Sequence, residues 1–471
     1  MTPGARLEAA IGLLHAIGAG GAPADDIVAE YFRRHRFAGV KDRAAISRHI
    51  YGVLRRRSAI DFWLERFGAP IDARRRLLAE LALFEEWTPE QVARACDGDP
   101  FRPLPLEDGE KRLLEAFAGQ PPYPKDMPPY ARGNYPAWLS PHLERALGRE
   151  LAREMAAMDG EAGLDLRVNA LKAEREAVYA ALAKAGIEAA RTKLSPIGLR
   201  LFARLPLGQL DLFKNGDIEV QDEGSQIAAL LADAQPGMRV VDFCAGAGGK
   251  TLAMAAAMQN RGHLVAADVA EKRLERATMR LRRAGASIVQ RVPLANARDK
   301  WVKRHIGGFD RVLVDAPCTG TGTWRRNPDA KWRLTPKDIA ELPALQAEIL
   351  DSAQRLVKPG GRLIYATCSL LMEEDEDQVA NFLGTHPDFA LVPIAEVWRA
   401  VIGGDCPVSH QAGRGDTLRL SPARHHTDGF FVAVMQRHFA VKGIVREESE
   451  NPTPEPEMPP TPESADEGGD G

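Results

Sequence analysis

From residue 5 to about residue 118 the apolar positions recur at helical spacing. Leu7, Ile11, Leu14 and Ile17 share one face, as do Ile27, Tyr31 and Phe32, and residues 43–55 carry a further amphipathic stripe. Residues 121–129, with five prolines, predict a stiff linker and a domain boundary. A short helical piece over 141–158 comes next, then a strand at 164–169, a helix at 173–185 and a strand at 198–202. From about Gln221 to Arg437 short apolar runs alternate with helical patterns. Strands are predicted at 239–243, 263–267, 287–291, 311–315, 361–367, 388–392 and 430–435. This alternation builds a mostly parallel, doubly wound α/β sheet. The predicted organisation is a helical domain at 1–140, a linker helix with a small α+β subdomain at 141–220, an α/β domain at 221–440 and a disordered acidic tail at 441–471.

Composition changes this picture little. The 471 residues are 45% hydrophobic and 27% charged, ordinary for a globular chain. The net charge of −3 conceals an asymmetry, because nine acids and no Lys or Arg follow Arg446. The rest is therefore positive, which permits a nucleic-acid partner. Cys96, Cys244, Cys318, Cys368 and Cys406 form no CxxC clip, so no metal site is expected. Scattered, odd-numbered thiols fit a reducing, cytoplasmic setting. No apolar run reaches the ~18 residues of a membrane helix.

The candidate chemistry lies where predicted strands stop. Strand 311–315 runs into Asp315, Ala316, Pro317 and Cys318, and a second strand ends in Thr367-Cys368-Ser369. In open α/β sheets ligands bind just beyond the carboxyl ends of strands. Residues 240–251, VVDFCAGAGGKT, read as a strand, a glycine-rich turn and a helix start suited to an anionic group. A phosphate loop would need glycine at Cys244, and the dinucleotide pattern fails after Gly248. A ligand with one carboxylate and one ribose remains, for which S-adenosylmethionine is the natural candidate. Asp268, 20 residues after Gly248, reads either as the ribose-binding acid or as the cap of the next helix. Cys244 reads as a small packing residue or a thiol within the loop.

Three polar groups read two ways. Residues 323–333, TWRRNPDAKWR, interleave cations with aromatics, either to grip RNA or as a packed loop. Arg55, Arg56 and Arg57 form a solvated helix face or contact phosphates. Arg167, Asn169 and Lys172 contact RNA or cap a turn.

Taken in order, QDEGSQ at 221–226, DFCAGAGGKT at 242–251, FDRVLVDAPCTG at 309–320, GTGTWRRNPDAKWR at 320–333, YATCSLLMEEDE at 365–376 and DGFF at 428–431 resemble the RNA cytosine methyltransferases of the Sun/Fmu type. Asp42-Arg43 with residues 51–55, YGVLR, resembles the NusB-like helical domain of the RsmB-like branch, which modifies small-subunit ribosomal RNA. The resemblance implies a Rossmann-like S-adenosylmethionine sheet. It implies cofactor contacts from Cys244, Ala245, Gly246, Ala247, Gly248, Gly249, Lys250, Asp268, Asn296 and Asp315. It makes Cys368 the nucleophile that adds to carbon 6 of cytosine, Cys318 the group that helps eliminate the adduct and Asp315 the holder of the base edge. The DNA cytosine methyltransferases give the Pro-Cys thiol the nucleophilic role, which leaves the reverse assignment open. Ala247 replaces a usual proline, Asn296 a usual acid, Met372 a usual proline and Asp375 a usual asparagine. Neither of the last two is expected to touch the chemistry. The implied partner is RNA, ribosomal first and transfer RNA second, with no DNA or membrane, and the protein is expected to be a monomer. A non-catalytic RNA-binding assembly factor is the alternative.

Overall fold

The computed structural model describes residues 1–203, 205–409 and 415–439; the tail expected at 441–471 lies outside them. Seven helices come first: Pro3–Gly18, Ala24–Arg34, Val40–Arg55, Arg57–Arg66, Ala73–Leu83, Pro89–Ala95 and Asp108–Phe117. Their starts carry the expected caps: Thr2 accepts from the Ala5 amide, Asp72 from Arg75, and Thr88 and Gln91 form a reciprocal pair. Leu7, Leu14, Ile46, Ile50, Trp63, Leu77 and Phe117 bury their side chains in one shared core. The proline-rich stretch is no free spacer. Met127 is buried in that same core, and the Trp63 indole donates to the Pro122 carbonyl at 3.1 Å. Prolines hold the chain extended and leave its carbonyls open to such donors.

Helices Pro129–Arg132, Ser140–Leu147 and Leu151–Met158 lead into an antiparallel sheet of β1 (Leu164–Val168), β2 (Ala189–Arg191), β3 (Gly198–Leu201) and β4 (Ile218–Val220), in the order β2-β3-β1-β4. Helix Arg175–Lys184 covers it. Strands β2 and β4 have three residues each, too short to show a period in the sequence.

The second sheet holds β5 (Arg239–Asp242), β6 (His263–Asp268), β7 (Val289–Pro293), β8 (Phe309–Asp315), β9 (Val357–Thr367), β10 (Phe389–Leu391), β11 (Leu418–Leu420) and β12 (Phe430–Arg437). Its order is β10-β12-β9-β8-β5-β6-β7, with β11 beside β12. Strands β5 to β9 pair in parallel, and β10, β11 and β12 enter antiparallel. Val312 and Val314 face one apolar layer and Leu313 the other, so β8 is buried on both faces. Strand β7 sits two residues beyond its expected place. It is an edge strand with an exposed face, so its apolar signal is weak. The chain leaves β5 to one side for β6 and has β8 on the other, which places a crevice beyond their carboxyl ends. Among the described residues no helix is long and apolar enough to cross a membrane.

The three polar groups that read two ways are drawn into the joints of the fold. Arg167 donates to Gln221 and to the Gly249 carbonyl, the latter at 2.7 Å. Asn169 bridges the carbonyls of Gly216 and Ala284, and Lys172 those of Asn215 and Arg283. All three tie the small sheet to the large one. Arg55 is buried and donates to the carbonyls of Gly160 and Arg325, Arg56 pairs with Glu80, and Arg57 lies 5.1 Å from the Trp332 ring centre. The expected solvated face is an inter-domain seam instead. Residues 323–333 pack against it: Trp324 is 1% exposed, Lys331 donates to the Arg55 carbonyl, and the Trp332 indole donates to the Leu54 carbonyl. The Trp324 ring therefore has no face open for stacking on a base.

Candidate active site

Four strand ends converge on the crevice. After β5 the chain turns through Gly246 (φ +54°) and Gly248 (φ +79°) into helix Gly249–Ala257. A Cβ on Gly246 would stand 2.8 Å from the Arg273 guanidinium, and the positive φ there also favours glycine. Asp268 ends β6 and its carboxylate ties the glycine turn to the start of the next helix. One oxygen accepts from the Gly246 amide at 2.7 Å and the other from Ala270, which heads the next helix, at 2.7 Å. A carboxylate has about four acceptor positions, so room remains for ribose hydroxyls. Asp242 ends β5 with one oxygen taking the Thr251 hydroxyl at 2.6 Å and the other buried without a partner. Burial pushes its pKa up to about 7. The open turn, the helix start, the paired amides on Asp268 and the unpartnered oxygen of Asp242 form a donor and acceptor set that fits S-adenosylmethionine.

Lys250, on the first turn of that helix, is buried and donates to Asp315 at 2.7 Å. Burial opposes its charge, but the Asp315 carboxylate, with Cys368 and Asp242 behind it, holds its pKa above the usual value. Asp315 ends β8, and three residues later Cys318 lies with its sulfur 3.4 Å from that of Cys368, which follows β9. Strands β8 and β9 are adjacent and parallel, so their ends deliver both thiols to one spot. The hydrogen bond to Cys368, then burial, pushes the Cys318 thiol well up.

The loops that carry the thiols are stitched together. The Gly322 amide donates to the Cys368 carbonyl at 2.9 Å, and the Gly429 amide to the Gly322 carbonyl at 2.8 Å. A Cβ at Gly322 would meet the Gly429 carbonyl at 2.3 Å, which accounts for glycine in both motifs. Glu374 is buried and joins the two loops, accepting from the amide and hydroxyl of Thr319 and from Gln346. Asp375, expected to stand apart, accepts from Thr367 directly before Cys368 and pairs with the buried Arg419 at 3.1 Å. Glu374, Asp375 and Arg419 were not among the expected site residues. The available signal was a run of five acids, 373–377, with no cation beside it, since buried acids need partners from elsewhere in the fold.

The remaining expected residues divide. Ala245 and Ala247 lie in the turn; Ala247 offers its carbonyl to Arg280 at 2.8 Å. Cys244 packs in the apolar layer, and burial pushes its thiol well up, as suits a packing residue. Asn296 is exposed, and its side-chain oxygen accepts from the Arg298 amide at 2.9 Å within its own turn. Cys96 and Cys406 lie outside the site, and burial pushes both thiols up to about 11.

The chain is similar to known proteins. The family model described as "16S rRNA methyltransferase RsmB/F" matches residues 229–436, and the RsmF/B-like ferredoxin-like domain matches residues 135–207. A probable ribosomal RNA small subunit methyltransferase B of Synechocystis is 31% identical over 417 residues, covering 84% of this chain and 91% of that protein. The ribosomal RNA small subunit methyltransferase B of Pectobacterium atrosepticum is 35% identical over 304 residues, 64% of this chain and 66% of its own length. The crystal structure of PH0851 superposes with a TM-score of 0.74 at 30% identity, covering 93% of this chain and 99% of that one. This chain belongs to the RsmB/F family of S-adenosylmethionine-dependent methyltransferases.

Proposed function

We propose that the protein methylates carbon 5 of a cytidine in small-subunit (16S) ribosomal RNA through a covalent adduct between Cys368 and carbon 6. The observation that carries this reading is the pair of thiols, 3.4 Å apart at the ends of adjacent strands, beside the buried Lys250 paired with a half-buried Asp315. Carbon 5 of cytosine is a weak nucleophile. A thiolate added at carbon 6 makes it enamine-like and splits one hard step into easier ones. A cation beside a thiol favours its nucleophilic form, and Lys250 lies within electrostatic reach of Cys368. Cys318, pushed well up, keeps its proton while Cys368 adds. Asp315 holds the base edge near ring nitrogen 3. Bound S-adenosylmethionine supplies the methyl group. Transfer of the carbon 5 proton to a solvent water then expels Cys368 as a thiolate, and Cys318, beside that sulfur, is the group placed to assist the elimination. The base leaves its stack to reach such a crevice.

The names of the relatives support ribosomal RNA as the substrate. In this reading residues 1–140 form a NusB-like RNA-binding domain, 141–220 a second RNA-binding element and 221–440 the catalytic domain of a cytoplasmic monomer. The test incubates Cys318→Ala and Cys368→Ala proteins with S-adenosylmethionine and total RNA and resolves the products on a denaturing gel. A slow protein–RNA band from Cys318→Ala alone is expected, and sequencing the trapped RNA identifies the target. A band from Cys368→Ala alone exchanges the two roles. No band from either variant, with no methyl transfer by the native protein to any RNA, sinks the reading in favour of a non-catalytic assembly factor.

A further inference from the structure

A cavity of about 1030 Å³ opens between the helical domain and the helices that follow it, lined by none of the thiol or cofactor-turn residues. Tyr123, Lys125 and Met127 of the proline-rich stretch form one wall, and Ala152, Met155 and Ala156 of helix Leu151–Met158 another. Arg56, Arg132 and Arg149 complete a set of four cations with Lys125, against one carboxylate, Asp159. Asp159 is already engaged: Asn134 donates to it and Lys331 lies 3.6 Å away. Arg56 is engaged by Glu80. Lys125 and Arg149 are exposed and pair with no carboxylate among the described residues. An apolar chamber large enough for one or two nucleotides, with unmatched cations at its edge, suits a flat body carrying an anion.

The cavity also backs onto the catalytic loops. Its wall residues Tyr135 and Met155 belong to the same apolar cluster as Trp324, six residues after Cys318, and Leu370, two residues after Cys368. At its far end the Gly160 carbonyl takes a hydrogen bond from Arg55, which also holds the Arg325 carbonyl.

We infer that this cavity binds a nucleoside phosphate, carried by the RNA substrate at a position away from the target base. The inference deepens the RNA methyltransferase reading and rests on it for the source of the nucleotide. The base enters the apolar chamber, and its flanking phosphates meet Lys125 and Arg149. The nucleotide then anchors the RNA against the layer that carries both thiol loops.

Two variants test it. Lys125→Ala/Arg149→Ala removes the unmatched cations, and Ala152→Trp fills the chamber without changing charge. Binding of an unmodified 16S ribosomal RNA transcript is measured across a salt series. S-adenosylmethionine and the free nucleotides AMP, CMP, GMP and UMP are measured by calorimetry. The double variant is expected to lower the slope of log affinity against log salt by about two, near one per lost phosphate contact. Ala152→Trp is expected to weaken RNA binding about tenfold, the loss of one stacked base, with the slope unchanged. Both should bind S-adenosylmethionine within about twofold of the native protein, as a site outside the cofactor turn requires. If the native protein instead binds a free nucleotide that both variants lose, while RNA binding is unchanged, the nucleoside-phosphate site stands and its source is the free pool. If neither RNA nor nucleotide binding changes in either variant, the inference is overturned. Should the native protein methylate no RNA at all, the functional reading fails by itself, and the nucleotide measurements still decide the cavity.

Discussion

Two polar clusters follow strand β8, built from similar residue types and turned to opposite uses. The first is Asp315 with Lys250, Cys318 and Cys368: one ion pair and one thiol pair at the mouth of a crevice. The second is the segment 323–333. There Arg325 and Arg326 both hold Asp428, Arg326 also holds Asp222, and Lys331 and Trp332 donate to carbonyls of the helical domain. In the second cluster the fold supplies a partner for each of these groups, so the segment joins domains. In the first, the partners are few and the strand ends leave one side open, so capacity remains for a substrate. A cation beside an aromatic does not by itself mark a nucleic-acid contact; what matters is whether the protein has already satisfied it.

The sharpest way to break this contrast is to remove the cation of the first cluster. Lys250→Met should lower methyl transfer by about a hundredfold or more while the protein stays folded. An unchanged rate of methyl transfer would mean that the lysine does not act in the reaction. In the second cluster the loss should appear in stability. Trp324→Ala is expected to cost about 3–5 kcal/mol in urea unfolding, as for other buried tryptophans. Arg326→Ala leaves Asp428 and Asp222 buried with one partner fewer, at a cost of about 3 kcal/mol. If either variant instead keeps its stability and loses RNA affinity, the segment is a binding surface after all.

Asp242 gives a pH-dependent comparison. Its carboxyl titrates near 3.9 when unfolded and at about 7 when folded. Its protonated form is favoured by folding, so it stabilises the protein below about pH 4, and that contribution fades as pH rises towards about 7. Asp242→Asn should therefore gain stability relative to the native protein between those values, with a constant difference above them, measured as urea midpoints at pH 5, 6, 7 and 8. The smallest effect belongs to Asn296→Ala. Its oxygen already serves its own turn, so S-adenosylmethionine affinity should change by less than about threefold.

Much of this was legible along the chain. The apolar runs of β5, β6, β8 and β9 are near-continuous because both sheet faces are buried, and such runs are easily read. The turn after β5 was legible because the left-handed backbone at positions 246 and 248 favours glycine. Strands β2, β4 and β11, three residues each, carry too little pattern, whereas the strand read at 388–392 encloses β10. The roles of Glu374, Asp375 and Arg419 were hidden because their partners come from other loops. Arg55 and residues 323–333 looked like surface because residues of their kind usually are.

The sequence by itself determined the alternation of strands and helices, the glycine turn and the presence of two thiols at strand ends. Each of these depends on local backbone geometry or on a short period of buried positions, both written in neighbouring residues. Only the tertiary structure decided that the two sulfurs meet at 3.4 Å, that one charged segment is consumed in a domain joint and that another pair stays open to a substrate. Those outcomes depend on partners as far apart as 54 and 332 or 165 and 326, and a side chain is free or satisfied only once the fold has brought such partners together.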